Sequence, residues 1–536
     1  MKILRTGQSL RKCLMGFSAA LCGLSVAAAD REFFVAPEGD DVNNDGLSWA
    51  TATSLTNGFA KANAAVYNEL HLQAGTYLPS KCLTATKMMT IVGGLAGEGD
   101  EPDAVTGRSV IDAQGAYGTI FSNGTSPGNY AYGFFTYLEN LDLRHATAQA
   151  VSYATTYGSF RAINCRFAGN RGSRSGSNGI HQGARGLSYS GYNGGNMRCE
   201  LYDCEFVDNG SLAGSDLTLM WSGCGCSISY GTAVLENCLF ASNGLASADM
   251  PTSSGNEGMT GHAISSSAKI LATGCRFVRN RGTTGWNNKW PGAAGGATVY
   301  STASGNVFDR CIFVANENVY GGSVRGTLGT LTVTANTTVR NCTFAYNLVD
   351  GGAAAGGLTV NGGTAAVTNS IFYGNAVGSG ATVGADIHVE ADARAKITFT
   401  LFGGDAETYV TTVDPSLLTL KDCVFGDARL VTDSASFCKG ARVSGEVPKV
   451  VWTTPCGEIR SAYNLHLCGG SGFYDEATDE KVTACRRKGN SPAIDAGDPA
   501  VKCVEPQPNG NRVNLGAYGN TPWATMSPGG LVLFVQ

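Results

Sequence analysis

Cys238-Leu239-Phe240-Ala241-Ser242-Asn243 is one copy of a motif, Cys-x-Phe-x-x-Asn, that recurs down the middle of the chain. The other copies begin at Cys165, Cys204, Cys275, Cys311 and Cys342, and a seventh at Ser370 replaces only the cysteine. Thr400-Phe402 and Cys423-Phe425 echo it without the asparagine. Successive copies lie 39, 34, 37, 36, 31 and 28 residues apart. A fixed core with variable spacing is the signature of a solenoid whose insertions are loops. First and third positions share a side only on an extended strand, where side chains alternate with period two. Cysteine and phenylalanine therefore face an interior and stack rung over rung at roughly 4.8 Å.

The asparagine falls where the strand must bend. Asn tolerates left-handed backbone angles, and its amide can bond the next rung's amide. Asn170, Asn209, Asn243, Asn280, Asn316, Asn347 and Asn375 are thus expected to form an internal ladder. Helical repeats of this length would need long amphipathic stretches free of glycine. With 73 glycines and 15% charged residues, the chain has none. The pattern implies an all-β chain, a parallel β-helix.

The N-terminus carries Lys2, Arg5, Arg11 and Lys12, an apolar run from Cys13 to Val26, and Ala27-Ala28-Ala29. This reads as a secretory signal peptide over residues 1–29. Its removal takes away four positive charges and no negative ones, moving the formal net charge from −5 to −9. A mildly acidic chain without a basic cluster argues against nucleic acid as a partner. No second apolar stretch is long enough to cross a bilayer. The expected organisation is an N-terminal cap over 30–85, the β-helix over 86–450, and a C-terminal cap or attachment segment over 451–536. Five cysteines, Cys438, Cys456, Cys468, Cys485 and Cys503, fall in the last hundred residues, and in an exported chain they read as disulfides stapling the cap. A monomer is expected.

Phe34-Val35-Ala36-Pro37-Glu38-Gly39-Asp40 with Asn44-Asp45-Gly46 resembles the opening segment of exported right-handed parallel β-helix proteins of the pectate-lyase-like fold. The rung motif, with Thr90–Gly94 and Val110-Ile111-Asp112, resembles the repeats of polymorphic outer-membrane proteins. Ser491–Pro499 with Asn514–Tyr518 is similar to the "choice-of-anchor Q" segment that closes many such chains. The resemblance implies a right-handed coil at the cell surface or outside the cell. Enzymes of this fold use an outward sheet face to hold calcium with carboxylates and to supply a Lys or Arg base. Its glycoside hydrolases need separate carboxylates for acid and for base or nucleophile.

Two outward columns flank the ladder cysteines. The residue before reads Asn164, Asp203, Asn237, Gly274, Arg310, Asn341 and Asn369; the residue after reads Arg166, Glu205, Leu239, Arg276, Ile312, Thr343 and Ile371. Asp203 and Glu205 beside Arg166 are the nearest match to a catalytic set, with an exposed cross-strand ion pair as the competing reading. Leu239, Ile312 and Ile371 dilute the polarity that a catalytic cleft wants. Asp40, Asp41 and Asp45 have the oxygen-rich look of a calcium loop without EF-hand spacing, and a solvated turn competes with it.

The long insertions follow the asparagine and leave neighbouring rungs on one side, where binding sites tend to lie. They carry Arg171, Arg174, His181, Arg185, Tyr189 and Tyr192, then Trp221, then Trp286-Asn287-Asn288-Lys289-Trp290. Flat rings interleaved with amides and cations suit a sugar surface; packing of the loops onto the barrel is the competing reading. Trp286, Trp290, Asn287, Lys289, Tyr189, Tyr192 and Trp221 are therefore the expected ligand-binding set. A non-catalytic glycan-binding or adhesin-like protein leads, a polysaccharide lyase or glycoside hydrolase follows, and a structural surface-layer role is third.

Overall fold

The computed structural model describes residues 31–64, 67–123, 135–154, 158–172, 185–191, 197–211, 224–245, 262–284, 297–320, 329–350, 355–377, 386–404, 410–412, 414–430, 465–474, 479, 481–482 and 490–527. Successive turns of chain coil into four stacked sheets. One coil is illustrated by Thr232–Glu236 on sheet I, Leu239–Ala241 on sheet II, Gly244–Leu245 on sheet III and Ile264–Ser266 on sheet IV. Among the described residues, sheets I, II, III and IV have 13, 12, 7 and 11 strands, and neighbouring strands in each run parallel and in sequence order. This is the parallel β-helix the motif predicts. A right-handed coil is the hand that twisted parallel strands favour.

The interior follows the repeat. Phe167, Phe206, Phe240, Phe277, Phe313 and Phe344 are fully buried on sheet II in one register. Their rings stack in parallel with centroids 4.5–5.1 Å apart. Offset stacked rings are worth about 0.5–1.5 kcal/mol beyond their burial. The thiols do more than fill space. Cys238 Sγ donates to Leu201 O one rung back (3.3 Å), and Cys204, Cys275 and Cys342 repeat the contact at 3.4–3.5 Å. At the next corner Asn209 Nδ2 donates to Phe167 O and to Asn243 Oδ1, both 2.9 Å, and each asparagine hands on to the next as far as Asn375. Asn375 Nδ2 in turn donates to Asp386 Oδ1 (2.8 Å), a buried carboxyl outside the motif whose pKa is pushed up to about 7 by burial.

One local expectation is corrected. The ladder asparagines do not occupy the left-handed region; the residue before each of them does, as in Gly169, Asp208, Ser242, Arg279, Ala315, Tyr346 and Gly374 (φ 50–64°). A second left-handed column is the residue before each cysteine: Asn164, Asp203, Asn237, Gly274, Arg310, Asn341 and Asn369 (φ 50–64°). That accounts for its Asn, Asp and Gly content, because these residues enter the left-handed region at least cost.

At the N-terminal end, strand Arg31–Val35 pairs with Tyr67–Gln73 as the first strand of sheet I. Helix α1, Leu55–Ala64, buries Leu55, Phe59 and Ala62 in the main core, with Phe59 stacked on Phe121 at 5.8 Å. At the other end the chain does something the sequence did not suggest. Residues 490–527 run back along the outer face of sheet II. Ala517 N donates to Thr343 Oγ1 (3.0 Å), Gly516 N to Asn369 O (2.8 Å) and Asp498 N to Asn369 Oδ1 (2.8 Å). Disulfides were expected here, yet no bridge joins two described cysteines, and Cys503 Sγ instead lies 3.5 Å from Arg512 O. Cys438, Cys456 and Cys485, like the expected signal peptide, lie outside the described residues. Backbone hydrogen bonds and apolar burial hold the described part of this segment.

Candidate functional site

Sheet II aligns one outward residue per rung: Asp142, Arg166, Glu205, Leu239, Arg276, Ile312, Thr343, Ile371, Leu401 and Val424. The column divides in two. From Leu239 onward it is largely apolar, and residues 428–430, 465–467 and 490–527 bury it, with Leu430, Leu467, Leu515 and Ala517 packed against Leu239, Ile312, Ile371 and Leu401. Arg276 ends up beneath this cover, its Nη2 donating to Tyr518 Oη (2.9 Å). The apolar outward residues are therefore a second core, not a diluted cleft.

The earlier rungs are charged. Arg108 reaches across from the segment before strand Ser109–Asp112: Nη1 bonds Glu205 Oε2 (2.9 Å), Nε donates to Asn164 O (2.9 Å) and Nη2 to Asn164 Oδ1 (2.7 Å). Asp142 Oδ2 lies 3.0 Å from Arg144 Nη2 and 4.0 Å from Arg166 Nη1. Burial raises the Asp142 pKa, against the pull of Arg144, Arg166 and Arg108. Desolvation works against the Arg108 charge, but Glu205 outweighs it and the pKa rises. The expected trio Asp203, Glu205 and Arg166 is thus rearranged. Asp203 is an exposed left-handed corner, Glu205 is paired with Arg108, and Arg166 leans towards Asp142. The cluster is an ionic staple over consecutive rungs. Asp142 was legible in principle, since Asn140-Leu141-Asp142-Leu143 has the pattern of Asn164-Cys165-Arg166-Phe167 with leucines in the buried places. Arg108 had no such signal, because it lies off the repeat.

Asp40, Asp41 and Asp45 do not converge on a calcium site. Asp40 accepts from Val42 N and Asn43 Nδ2, Asp41 from Thr53 Oγ1 and both groups of Ser54, and Asp45 from Leu47 N and Thr51 Oγ1. Hydrogen bonds from Asn43 hold the Asp40 carboxyl below its usual range. Asp40 and Asp45 close turns, and Asp41 ties to the residues before helix α1. Among the described residues no group of three or more His, Cys, Asp or Glu side chains is placed to hold a metal.

The other candidate region is the edge between sheets III and IV. Strands Gly210–Ser211, Gly244–Leu245, Arg281–Thr284, Glu317–Tyr320, Leu348–Asp350 and Ala376–Val377 stack in register on sheet III, and each is followed in sequence by an insertion outside the described residues and then by a strand of sheet IV. The insertions therefore start from one line, rung after rung. Tyr189, expected among the binding residues, is not one of them. It lies on strand Arg185–Ser190, is 1% exposed, stacks on Tyr153 at 5.8 Å and donates to Gly158 O (2.9 Å). Alternation turned its ring into the core. Tyr192, Trp221, Trp286, Asn287, Lys289 and Trp290 lie outside the described residues.

No protein-family model matches the chain, and no curated protein matches it. Among solved structures, a pectate lyase, Pel9A, aligns at 15% identity over 92% of this chain and 97% of its own, with a TM-score of 0.37. Tailspike protein 3 of bacteriophage CBA120 aligns at 12% identity over 73% of this chain and 61% of its own, with a TM-score of 0.26. The fold assignment rests on the strand pairing of the chain itself.

Proposed function

We propose that the chain is a secreted or surface-displayed β-helix protein that binds an extracellular glycan without transforming it. The observation that carries this reading is the line of insertion points between sheets III and IV, where stacked strands space the starts of consecutive insertions at the strand interval. That interval is close to the length of one pyranose ring, so a linear chain lying along the edge meets one loop per sugar or so. Trp221, Trp286 and Trp290 belong to those loops and would supply stacking faces, with Asn287 and Lys289 for the hydroxyls. A lyase or hydrolase finds less support, because the carboxylates Asp142 and Glu205 are tied to arginines instead of standing free for proton transfer.

The test is retention of the purified protein on immobilised polysaccharides, comparing parent and a Trp286→Ala/Trp290→Ala double variant. Loss of retention with unchanged melting supports the reading, since exposed rings contribute to a ligand more than to folding. Melting several degrees earlier would make the rings packing residues. New reducing ends or unsaturated uronates in the same incubations would replace binding by catalysis.

A further inference from the structure

Arg185 opens strand Arg185–Ser190 of sheet IV, at the edge where the insertions return, and its backbone N donates to Ala148 O (2.8 Å). The residue is half-buried, its Nε is sealed from solvent, and its side chain has neither an ion pair nor a hydrogen bond among the described residues. Several other arginines among the described residues are paired with acids. Arg108 bonds Glu205, Arg161 bonds Glu200, Arg171 bonds Asp208, and Arg281 lies 3.2 Å from Glu317. Among the described residues, the neighbouring rung offers Arg185 the thiol of Cys224, which burial pushes up to about 12 and so keeps neutral. Burial accordingly weakens the Arg185 cation. Withdrawing an unpaired charge from water is costly unless something of opposite sign completes it.

The surface beside it is suited to sugar. Ser152, Ser188, Ser227 and Ser265 stand in register on the outer side of sheet IV, all half-buried and none charged. Hydroxyls in a row can donate to and accept from sugar hydroxyls, but they cannot neutralise a guanidinium. A guanidinium takes an oxyanion with two acceptor oxygens through a two-pronged hydrogen bond.

We propose that Arg185 anchors an oxyanion of the bound polymer, so that the ligand is an acidic glycan bearing carboxylate or sulfate groups. This rests on the glycan-binding reading above and narrows it. The alternative origin of the feature, a cation awaiting an acid from the chain's own fold, predicts that its removal harms folding.

The experiment compares parent, Arg185→Gln and Arg185→Lys on alginate (carboxylated), heparin (sulfated) and dextran (neutral), with melting temperatures measured alongside. Arg185→Gln is expected to weaken the acidic polymer by about 10- to 100-fold, the loss of one charge-assisted bond, to leave dextran unchanged, and to melt no earlier than the parent. Arg185→Lys, which keeps the charge but not the fork, should fall between them, and it carries the test if Arg185→Gln fails to fold. Which of alginate and heparin responds identifies the oxyanion. Equal retention of all three proteins on the acidic polymers, or retention on dextran alone, would overturn the Arg185 assignment while leaving glycan binding intact. Retention on none of the three polymers removes the glycan reading and this inference with it.

Discussion

The two halves of sheet II share one backbone pattern and differ in what lies above them. On the rungs of Asp142, Arg166 and Glu205 the outward residues are charged and held by Arg108 and by one another. On the rungs of Ile312, Ile371 and Leu401 they are apolar and lie beneath residues 490–527. Both ends of the comparison satisfy the same requirement, because an outward strand position must meet water or another part of the chain. Where the C-terminal segment returns, hydrophobic burial does the work; where it does not, charges span the rungs. The lesson is that an outward column on a solenoid need not be one surface. A change in its composition marks the edge of something that covers it.

Substitutions at matched positions can break this contrast. Ile371→Ala should have the largest effect, lowering stability by about 2–5 kcal/mol as a buried aliphatic contact is emptied; urea unfolding would measure it, and a cost under 1 kcal/mol would mean that the segment lies only loosely on the sheet. Glu205→Gln should cost less, about 1–3 kcal/mol, because it leaves the part-buried Arg108 with a neutral acceptor. Its unfolding midpoint should also become less sensitive to salt than the parent's.

The covered half has its own pH signature. His466 is 1% exposed, sandwiched between the rings of Phe473 and Tyr518 at 3.8 and 3.6 Å, with both ring nitrogens lacking a hydrogen-bond partner. Burial, reinforced by Arg276, holds its pKa well below 6.5. The unfolded chain therefore takes up a proton that the folded chain refuses. The His466 contribution is in place above pH 6.5 and is lost below it, at about 1.4 kcal/mol per pH unit. Glu505, in the same segment, runs the other way. Burial raises its pKa from 4.5 to about 7, so the folded state binds the proton more tightly, and the penalty of its charge is relieved as the pH falls from 7 towards 4.5. His466→Phe should flatten the acid side of the stability profile, and Glu505→Gln should raise stability above pH 7 relative to the parent; identical profiles in all three proteins would show that the segment does not titrate with the fold. The smallest effect is expected at Arg166→Ala, at or below about 1 kcal/mol, since this part-exposed side chain stands 4.0 Å from Asp142. A larger loss would make the staple as structural as the covered core.

The sequence by itself determined the coil. Cysteine and phenylalanine two apart, with asparagine three further on, are local choices repeated at every rung, and period-two alternation turns them into stacked interior columns whatever the loops do. The same alternation would have placed Tyr189 inside had its strand, Arg185–Ser190, been recognised behind a long insertion. The column before the cysteines reads in the sequence as an outward one, with Asp203 as a candidate, because Asn and Asp serve turns and sites alike, and only φ separates them. Other features belong to the tertiary structure alone. Tyr518 meets Arg276 across 242 residues, and Arg108 meets Glu205 across 97. Such contacts leave no periodic trace, because their partners are chosen by where the returning chain comes to lie. Arg185 is the same kind of case: its type stands in the sequence, but its lack of a counter-charge among the described residues is a property of the fold.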